Sequence, residues 1–389
     1  MAQPLERPDL PARFASFADF RLGAKRRIPH FAFEYLDGGI GRDIGLARNY
    51  SSIDRVLLTP RTVDEGVQAD TSVTILGERS SMPFGVAPVG MGGLFHPESA
   101  PALAKKAAKL GHPFCLSFVA SHSLEEIVRA AGKAPWHQFY WPRPEDVQKD
   151  ILARMKALGV NVIMPTLDIP GHQWRERTIR AGVAARPSPW VMLRDVAPKP
   201  LWAYETLKHG KPGLPNMSMY SGGGPAEAEM WLLQNCLRPM GPEGIRKLRD
   251  MWDGKLVVKG VMAAEDAEDF VGVGVDGIVV SNHGGRQLDA SPGTAELLPP
   301  IVEAVRGKTE ILVDGGVRDG SDVLRLLALG ADFVMVGRLP YYACAALGAR
   351  GAAVLDLLAM QVKTVMVQLG VRNLEELRAL KVEISPSAA

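Results

Sequence analysis

The chain has 389 residues, 45 Lys and Arg against 43 Asp and Glu, and 47% apolar residues. A net charge of +2 excludes a protein-wide field that would draw nucleic acid or another polyanion. Three cysteines, odd in number and far apart, exclude a disulfide framework and a metal cluster; with no run of about 18 uncharged apolar residues, the expectation is a cytoplasmic protein without a membrane span.

Residues 1–80 read as an N-terminal extension. Ser16 is placed to cap a short helix to about Leu22, ended by Gly23, and Pro29 opens a second to about Asp37, ended by Gly38. Thr71 to Gly77 reads as a hairpin-like run. From Phe84 onward, short β-rich runs alternate with helix-period stretches such as Glu98 to Leu110 and Asp322 to Leu329. The runs begin near Phe84, Pro113, Trp136, Asn161, Lys255, Asp276, Glu310 and Asp332. Eight such units predict an α/β fold, a (β/α)8 barrel. The starts lie 29, 23, 25, 94, 21, 34 and 22 residues apart. The one long interval places an excursion over residues 171–240, after strand 4, within a single domain spanning 1–389.

In such a barrel reactive groups gather at the C-terminal ends of the strands. Those ends read Pro88-Val89-Gly90, Ser117, Gln138 with Tyr140, Thr166 with Asp168, Lys259, Ser281 to His283, Asp314 to Arg318, and Gly337-Arg338. Each puts a polar, charged or backbone-exposing group after an apolar run. Asp314-Gly-Gly-Val-Arg318 and Gly337-Arg338 set backbone N–H groups and guanidiniums where this fold recurrently binds phosphate. In Ser281-Asn-His-Gly-Gly-Arg286 two glycines allow a sharp turn that aims His283 and Arg286 into one cavity. An imidazole suits proton abstraction near neutral pH, and a guanidinium suits a carboxylate. No metal-ligand set is expected.

With these motifs the chain resembles the FMN-dependent 2-hydroxy-acid oxidases and dehydrogenases, from about Ile28 to Leu377. The matching segments are Phe-Glu-Tyr35-Leu-Asp-Gly-Gly, Pro60-Arg61, Ala87-Pro88, Gln138-Phe-Tyr140, Thr166-Leu-Asp168, Lys259-Gly260, His283 to Arg286, Asp314 to Arg318 and Gly337-Arg338. The resemblance implies that Tyr35 and Arg286 bind the substrate carboxylate, that Arg175 is a second arginine facing the substrate, and that Tyr140 bonds the hydroxyl oxygen. His283 would take a proton, with Asp168 stabilising the imidazolium. Lys259 would lie beside flavin N1 and O2. Pro88, Val89 and Gly90, with Ser117, Gln138 and Thr166, would line the isoalloxazine. The region from Asp314, with Gly316, Arg318, Gly337 and Arg338, would hold the FMN phosphate. It further implies a homo-oligomer, a tetramer.

Two departures shape the expectation. Small-substrate oxidases of the family carry Trp where this chain has Val119, so a substrate larger than glycolate is expected. Gly90 stands where glycolate oxidase-like members have Ala, which tilts the reading toward a dehydrogenase. The stretch Pro170-Gly-His-Gln-Trp174 also differs from the family's usual sequence. The excursion bears on the electron acceptor. Residues 171–220 carry eight Lys and Arg and three acids, with Trp174, Trp190 and Trp202. Basic residues with interfacial aromatics suit an anionic membrane surface. The stretch from Pro200 to Asn216 resembles that of membrane-associated mandelate and lactate dehydrogenases, so the acceptor is expected to be quinone or, alternatively, oxygen. The alternative for the excursion is a lid folded over the flavin. From another class, an FMN-dependent isomerase or a non-catalytic flavin-binding barrel would need no carboxylate clamp beside a base.

Overall fold

A computed structural model describes residues 8–62, 68–171, 173–182 and 188–386. Eight parallel strands form the barrel: Phe84–Val86, Cys115–Ser117, Trp136–Phe139, Val162–Pro165, Lys255–Val261, Gly277–Val280, Glu310–Asp314 and Phe333–Val336. They are barrel strands 1 to 8 below. Each pairs with the next, strand 8 returns to strand 1, and a parallel bridge from Val86 to Phe114 joins strands 1 and 2, so the sheet is closed. Strands 1 to 4, 6 and 8 are buried at every position. That is the pattern of a parallel sheet covered on both sides.

The barrel interior is filled by Ala87, Cys115, Trp136, Met164, Val257, Val279, Leu312, Phe333 and Met335. Ile75 and Leu76 join this cluster from below. They belong to a hairpin in which Val73–Ile75 pairs with Glu78–Ser80. Its turn, Leu76-Gly77, takes positive φ at both residues (52° and 78°), as a tight two-residue hairpin requires. The hairpin plugs the N-terminal mouth, and the open end of the barrel is the one that carries the strand C-termini.

Before the barrel, Ser16 caps the helix Phe17–Arg27 through a reciprocal capping box with Asp19, a device worth about 1 kcal/mol. This helix does not stop at Gly23. A Cβ there would lie 2.5 Å from Phe14 and 2.9 Å from Ala346, so the glycine serves close packing against the helix Arg338–Leu347. The next helix, His30–Asp37, does end at Gly38. The helical run Arg338–Leu369 contains a stretch long and apolar enough to cross a bilayer, but it is interrupted by Arg350 and Asp356 and 56% of it is buried inside the protein.

The excursion after strand 4 is largely helical. Its described part runs through Glu176–Arg180, Pro189–Val191, Met192–Val196, Pro200–His209, Pro215–Ser221 and Pro225–Asn235. Trp202 anchors it: its indole N–H donates to the Leu94 carbonyl at 2.9 Å, and its ring meets Phe31 edge-on at 5.9 Å. Trp202 is thus 8% exposed and is no surface aromatic, whereas Trp174 and Trp190 are each 66% exposed. Arg186, one of the eight basic residues, lies outside the described residues.

Candidate active site

The strand ends open into one cavity of about 850 Å³, inside the ~300–1,000 Å³ range of small-molecule sites. Among its walls are Tyr35, Tyr140, Arg175, Lys259, His283 and Arg286. These residues come from five segments of the chain, and the fold brings all of them to one space.

His283 is aimed by backbone that few residues adopt. Its φ is +57°, followed by +65° and +74° at Gly284 and Gly285, a left-handed run that only glycine takes without strain. The loop is braced from below, where Asn49 and Asn282 exchange amide hydrogen bonds at 2.8 Å in both directions. The His283 Nδ1 meets Asp168 at 3.0 and 3.2 Å. Asp168 is fully buried as a side chain, and it can approach because residue 260 is glycine: a Cβ there would lie 2.7 Å from the Asp168 Cβ. Burial disfavours the Asp168 carboxylate, but His283 and Lys259 outweigh it and hold its pKa below the ordinary value. Burial lowers the His283 pKa, with Asp168 opposing. The imidazole is therefore a neutral base at pH 7, oriented by a carboxylate.

Lys259 ends in a buried relay. Its ammonium lies 3.0 Å from Asp314 and donates to Ser281 Oγ at 2.7 Å, and that hydroxyl donates to Asp314 at 2.6 Å. Ser281 Oγ also accepts the backbone N–H of His283 at 3.1 Å. One hydroxyl thus joins the lysine to the base.

The arginines form a separate group. Arg286 donates to the carbonyls of Tyr35 (2.9 Å) and Gly38 (2.5 Å), with its guanidinium 5.3 Å from the Tyr35 ring centre. Arg175 Nε donates to the Arg286 carbonyl at 3.3 Å. Burial pushes the Arg286 pKa well down, and Arg175 and Arg338 push it further. Cations that repel one another around a common space make a site that an anion would stabilise. Tyr140, buried beside Asp168, has its phenol pKa pushed up, first by burial and then by that carboxylate, so it is a neutral hydrogen-bond donor.

The residues present fit FMN. Gln138 and Thr166 line the cavity, yet the Gln138 amide nitrogen and the Thr166 hydroxyl are buried without a partner. Buried polar groups are normally paired, so these two suit the polar edge of a ring system. Ser117 Oγ holds the other Gln138 atom at 2.9 Å. At the far end Gly316 and Gly337 line the cavity, and Arg338 opens a ten-residue helix there, a favourable end for phosphate. Arg338 is itself held by the carbonyls of Leu36, Gly38 and Gly284. Pro88, Val89 and Gly90 also line the cavity, at the end of strand 1 beside strand 8.

Arg318 departs from the expectation. Its side chain reaches Asp54 at 2.5 Å and Asp322 at 2.9 Å and does not line the cavity. Two carboxylates at the barrel rim compete for it, and the sequence motif does not reveal them. Gly90 and Val119, read as two departures, are one feature: a Cβ at position 90 would lie 2.4 Å from Val119 Cγ2. The valine fills the space that alanine would need. Sequence reasoning places Ser281 at a strand end and Gly260 beside Lys259 but gives neither a role; their roles, bridging Lys259 to Asp314 and making room for Asp168, come from distant partners.

A family model described as FMN-dependent dehydrogenase matches residues 24–383. An L-lactate dehydrogenase of Ectopseudomonas mendocina is 38% identical over 363 residues, covering 92% of this chain and 96% of that protein. One from Haemophilus influenzae (strain PittEE) is 37% identical, covering 94% and 97%. A crystal structure of mandelate oxidase with (S)-4-hydroxymandelic acid is 35% identical, with a TM-score of 0.80, over 96% of this chain and 99% of that one.

Proposed function

Because the chain belongs to the FMN-dependent dehydrogenase family, we propose that it oxidises an (S)-2-hydroxy acid larger than glycolate to the 2-oxo acid and passes the electrons to a quinone. FMN, when bound, accepts the two electrons. The protein supplies binding, orientation and proton transfer. Arg286, Arg175 and Tyr35 take the carboxylate, and Tyr140 donates to the hydroxyl oxygen. His283 Nε2 removes a proton while Nδ1 stays on Asp168, which stabilises the imidazolium. Lys259, which lines the cavity, would supply positive charge to the bound cofactor. The observation that carries this reading is the convergence in one cavity of a carboxylate-oriented imidazole with two arginines. Neither an isomerase nor a passive flavin carrier needs both.

The small Val119 beside Gly90, and relatives named for lactate and mandelate, support a substrate with a side chain. Anaerobic mixing of the yellow holoprotein with glycolate, lactate and mandelate should bleach the flavin at least tenfold faster with mandelate or lactate than with glycolate. Bleaching by none of them removes the proposed reaction, and a preference for glycolate removes the proposed size.

The acceptor reading rests on the excursion. Trp190, Leu193, Leu201, Tyr204 and Leu207 are exposed, Leu207 by 83%. Leu207 also lines the cavity, as do Met192, Val196 and Lys211. The apolar roof of the site is therefore also an apolar surface. Basic residues flank it: Lys199 donates to the carbonyls of Lys25 and Arg26, and among the described residues Lys208 and Lys211 make no ion pair. Such a face suits an anionic bilayer, and we place the enzyme as a homo-tetramer on the cytoplasmic side of the membrane. Replacing Trp190, Leu193 and Leu201 together with Ser, none of which lines the cavity, should cut binding to anionic phospholipid vesicles at least tenfold, leaving reduction by substrate within threefold. Unchanged sedimentation with vesicles would leave the excursion as a lid only, with oxygen or a soluble acceptor in its place.

A further inference from the structure

Two residues beyond Arg175, Arg177 occupies a position that neither the motifs nor the cavity walls single out. Its three nitrogens meet three different carboxylates: Nε lies 2.6 Å from Glu34, Nη2 2.8 Å from Asp37 and Nη1 2.7 Å from Asp43. Those carboxylates bracket the turn between the helix His30–Asp37 and the helix Ile44–Asp54. The turn is held at two further points. Asp43 accepts the Gly39 N–H at 2.9 Å, and Glu176, next to Arg177, accepts the Gly41 N–H at 2.8 Å.

The inner side of the same turn faces the active site. The carbonyls of Tyr35 and Gly38 receive Arg286, and those of Leu36 and Gly38 receive Arg338. The turn is thus gripped from outside by Arg177 and from inside by the arginine that faces the substrate. The Arg177 grip also fixes the short helix Glu176–Arg180, whose preceding residue is Arg175. We infer that Arg177 is a positioning residue for recognition of the substrate carboxylate: docked on its three carboxylates, it sets Tyr35, Arg286 and Arg175 at once while touching neither substrate nor flavin.

Charge explains why the position matters. Without Arg177, three carboxylates would face one another across the turn. Asp37 would keep Arg21, at 2.5 Å, and the Tyr342 hydroxyl, at 2.7 Å, so the helix His30–Asp37 would stay attached to the barrel. Asp43 would keep the Gly39 N–H and Glu34 would keep His30, at 3.8 Å, so among the described residues nothing between the two carboxylates would offset their repulsion across the turn. The turn and its inward carbonyls would loosen, and a misplacement of about 1 Å in a binding group can cost on the order of 10²-fold.

The inference rests on the reading of the site as one that oxidises a 2-hydroxy acid, and its test separates the two. Anaerobic flavin reduction is followed in wild-type, Arg177→Met and Arg177→Lys holoenzymes with a 2-hydroxy acid and with its methyl ester, the slower ester at high concentration. The ester offers no carboxylate to the clamp. Arg177→Met should lower kcat/KM for the acid at least tenfold, chiefly through KM, and that for the ester less than threefold. Arg177→Lys should recover part of the loss, since an ammonium reaches one or two of the three partners. A purely structural pin predicts equal losses on acid and ester with loss of bound FMN; that result, or no change on either, overturns the inference. If Arg177→Met gives no folded holoenzyme, Asp43→Asn and Glu34→Gln each remove one partner. Each should give a smaller, acid-selective loss of two- to fivefold, and an unchanged acid-to-ester ratio in both is equally fatal. A wild-type enzyme bleached by no 2-hydroxy acid defeats the functional reading, and this inference with it.

Discussion

Replacing His283 with Ala should slow anaerobic reduction of the flavin by substrate by about 10³-fold or more, with FMN still bound. A positioned general base contributes on the order of 10²–10⁴-fold, and among the described residues no second base is in place: Asp168 is fully buried behind the imidazole, and Tyr140 is a phenol whose pKa is pushed up by burial and by Asp168. FMN should stay because the residues proposed to hold it stand at other strand ends. The pH dependence follows from the direction of the shift. Burial lowers the His283 pKa, Lys259 and Arg175 push the same way, and Asp168 opposes them. The base works when neutral, so kcat/KM should be level near pH 7 and fall only as pH drops below the ordinary imidazole value of about 6.5. The unfolded chain binds a proton there that the folded site resists, so stability should also decline below that pH. Asp168→Asn removes the opposing charge, which should carry the acidic limb to still lower pH and also slow the reaction, since the developing imidazolium loses its partner. Fast reduction by the His283→Ala variant, or an acidic limb that moves upward in Asp168→Asn, would contradict these roles.

The barrel was legible because its signals are local. Each strand is a short apolar run ending in a polar group, and the eight starts repeat at a near-constant interval apart from one excursion. The loop Ser281 to Arg286 was legible for the same reason, since its glycines sit beside the histidine they turn. Elements fixed by distant partners were not. Gly23 looks like a helix terminator but is a contact point for Ala346, more than 300 residues away. Arg318 sits in a phosphate-like motif yet is held by Asp54, 264 residues earlier. Arg177 looks like one more charge in a basic excursion until the fold brings Glu34, Asp37 and Asp43 to it. The count of +5 over residues 171–220 therefore overstates the charge that the surface presents. Arg177 is neutralised by carboxylates from outside that span, while the exposed Lys25 and Arg26 of the N-terminal helix lie against Lys199.

Lys259→Met should have the largest effect on stability of any single change at the site, and it should also impair function. The ammonium is nearly buried, with Asp314 at 3.0 Å and Ser281 at 2.7 Å. Burial alone would lower the Lys259 pKa, but Asp314 and Asp168 outweigh it and the net direction is upward. A raised folded value means that the ammonium's contribution is present below the unfolded pKa of about 10.4 and is lost only as pH climbs through the higher folded one. Between pH 6 and 9 the deficit of the variant should therefore be constant. Its size follows from what stays behind: methionine fills much of the volume, but the Asp314 carboxylate keeps only the Ser281 hydroxyl in a buried setting. Breaking a buried pair by removing one partner costs about 3–5 kcal/mol, whereas removing both is often near neutral. The double variant Lys259→Met/Asp314→Asn should thus regain most of the thermal stability that the single variant loses. Reduction of its flavin by substrate should remain slow, because the cation proposed to stand beside the ring is still missing. The relay adds a link to catalysis, since Ser281 Oγ caps the His283 N–H, and a carboxylate that reclaims Ser281 for itself would disturb the loop that aims the base. A double variant no more stable than Lys259→Met would locate the loss elsewhere than in the Asp314 charge. Full recovery of the reduction rate in that double variant would show that the lysine serves the fold and not the chemistry.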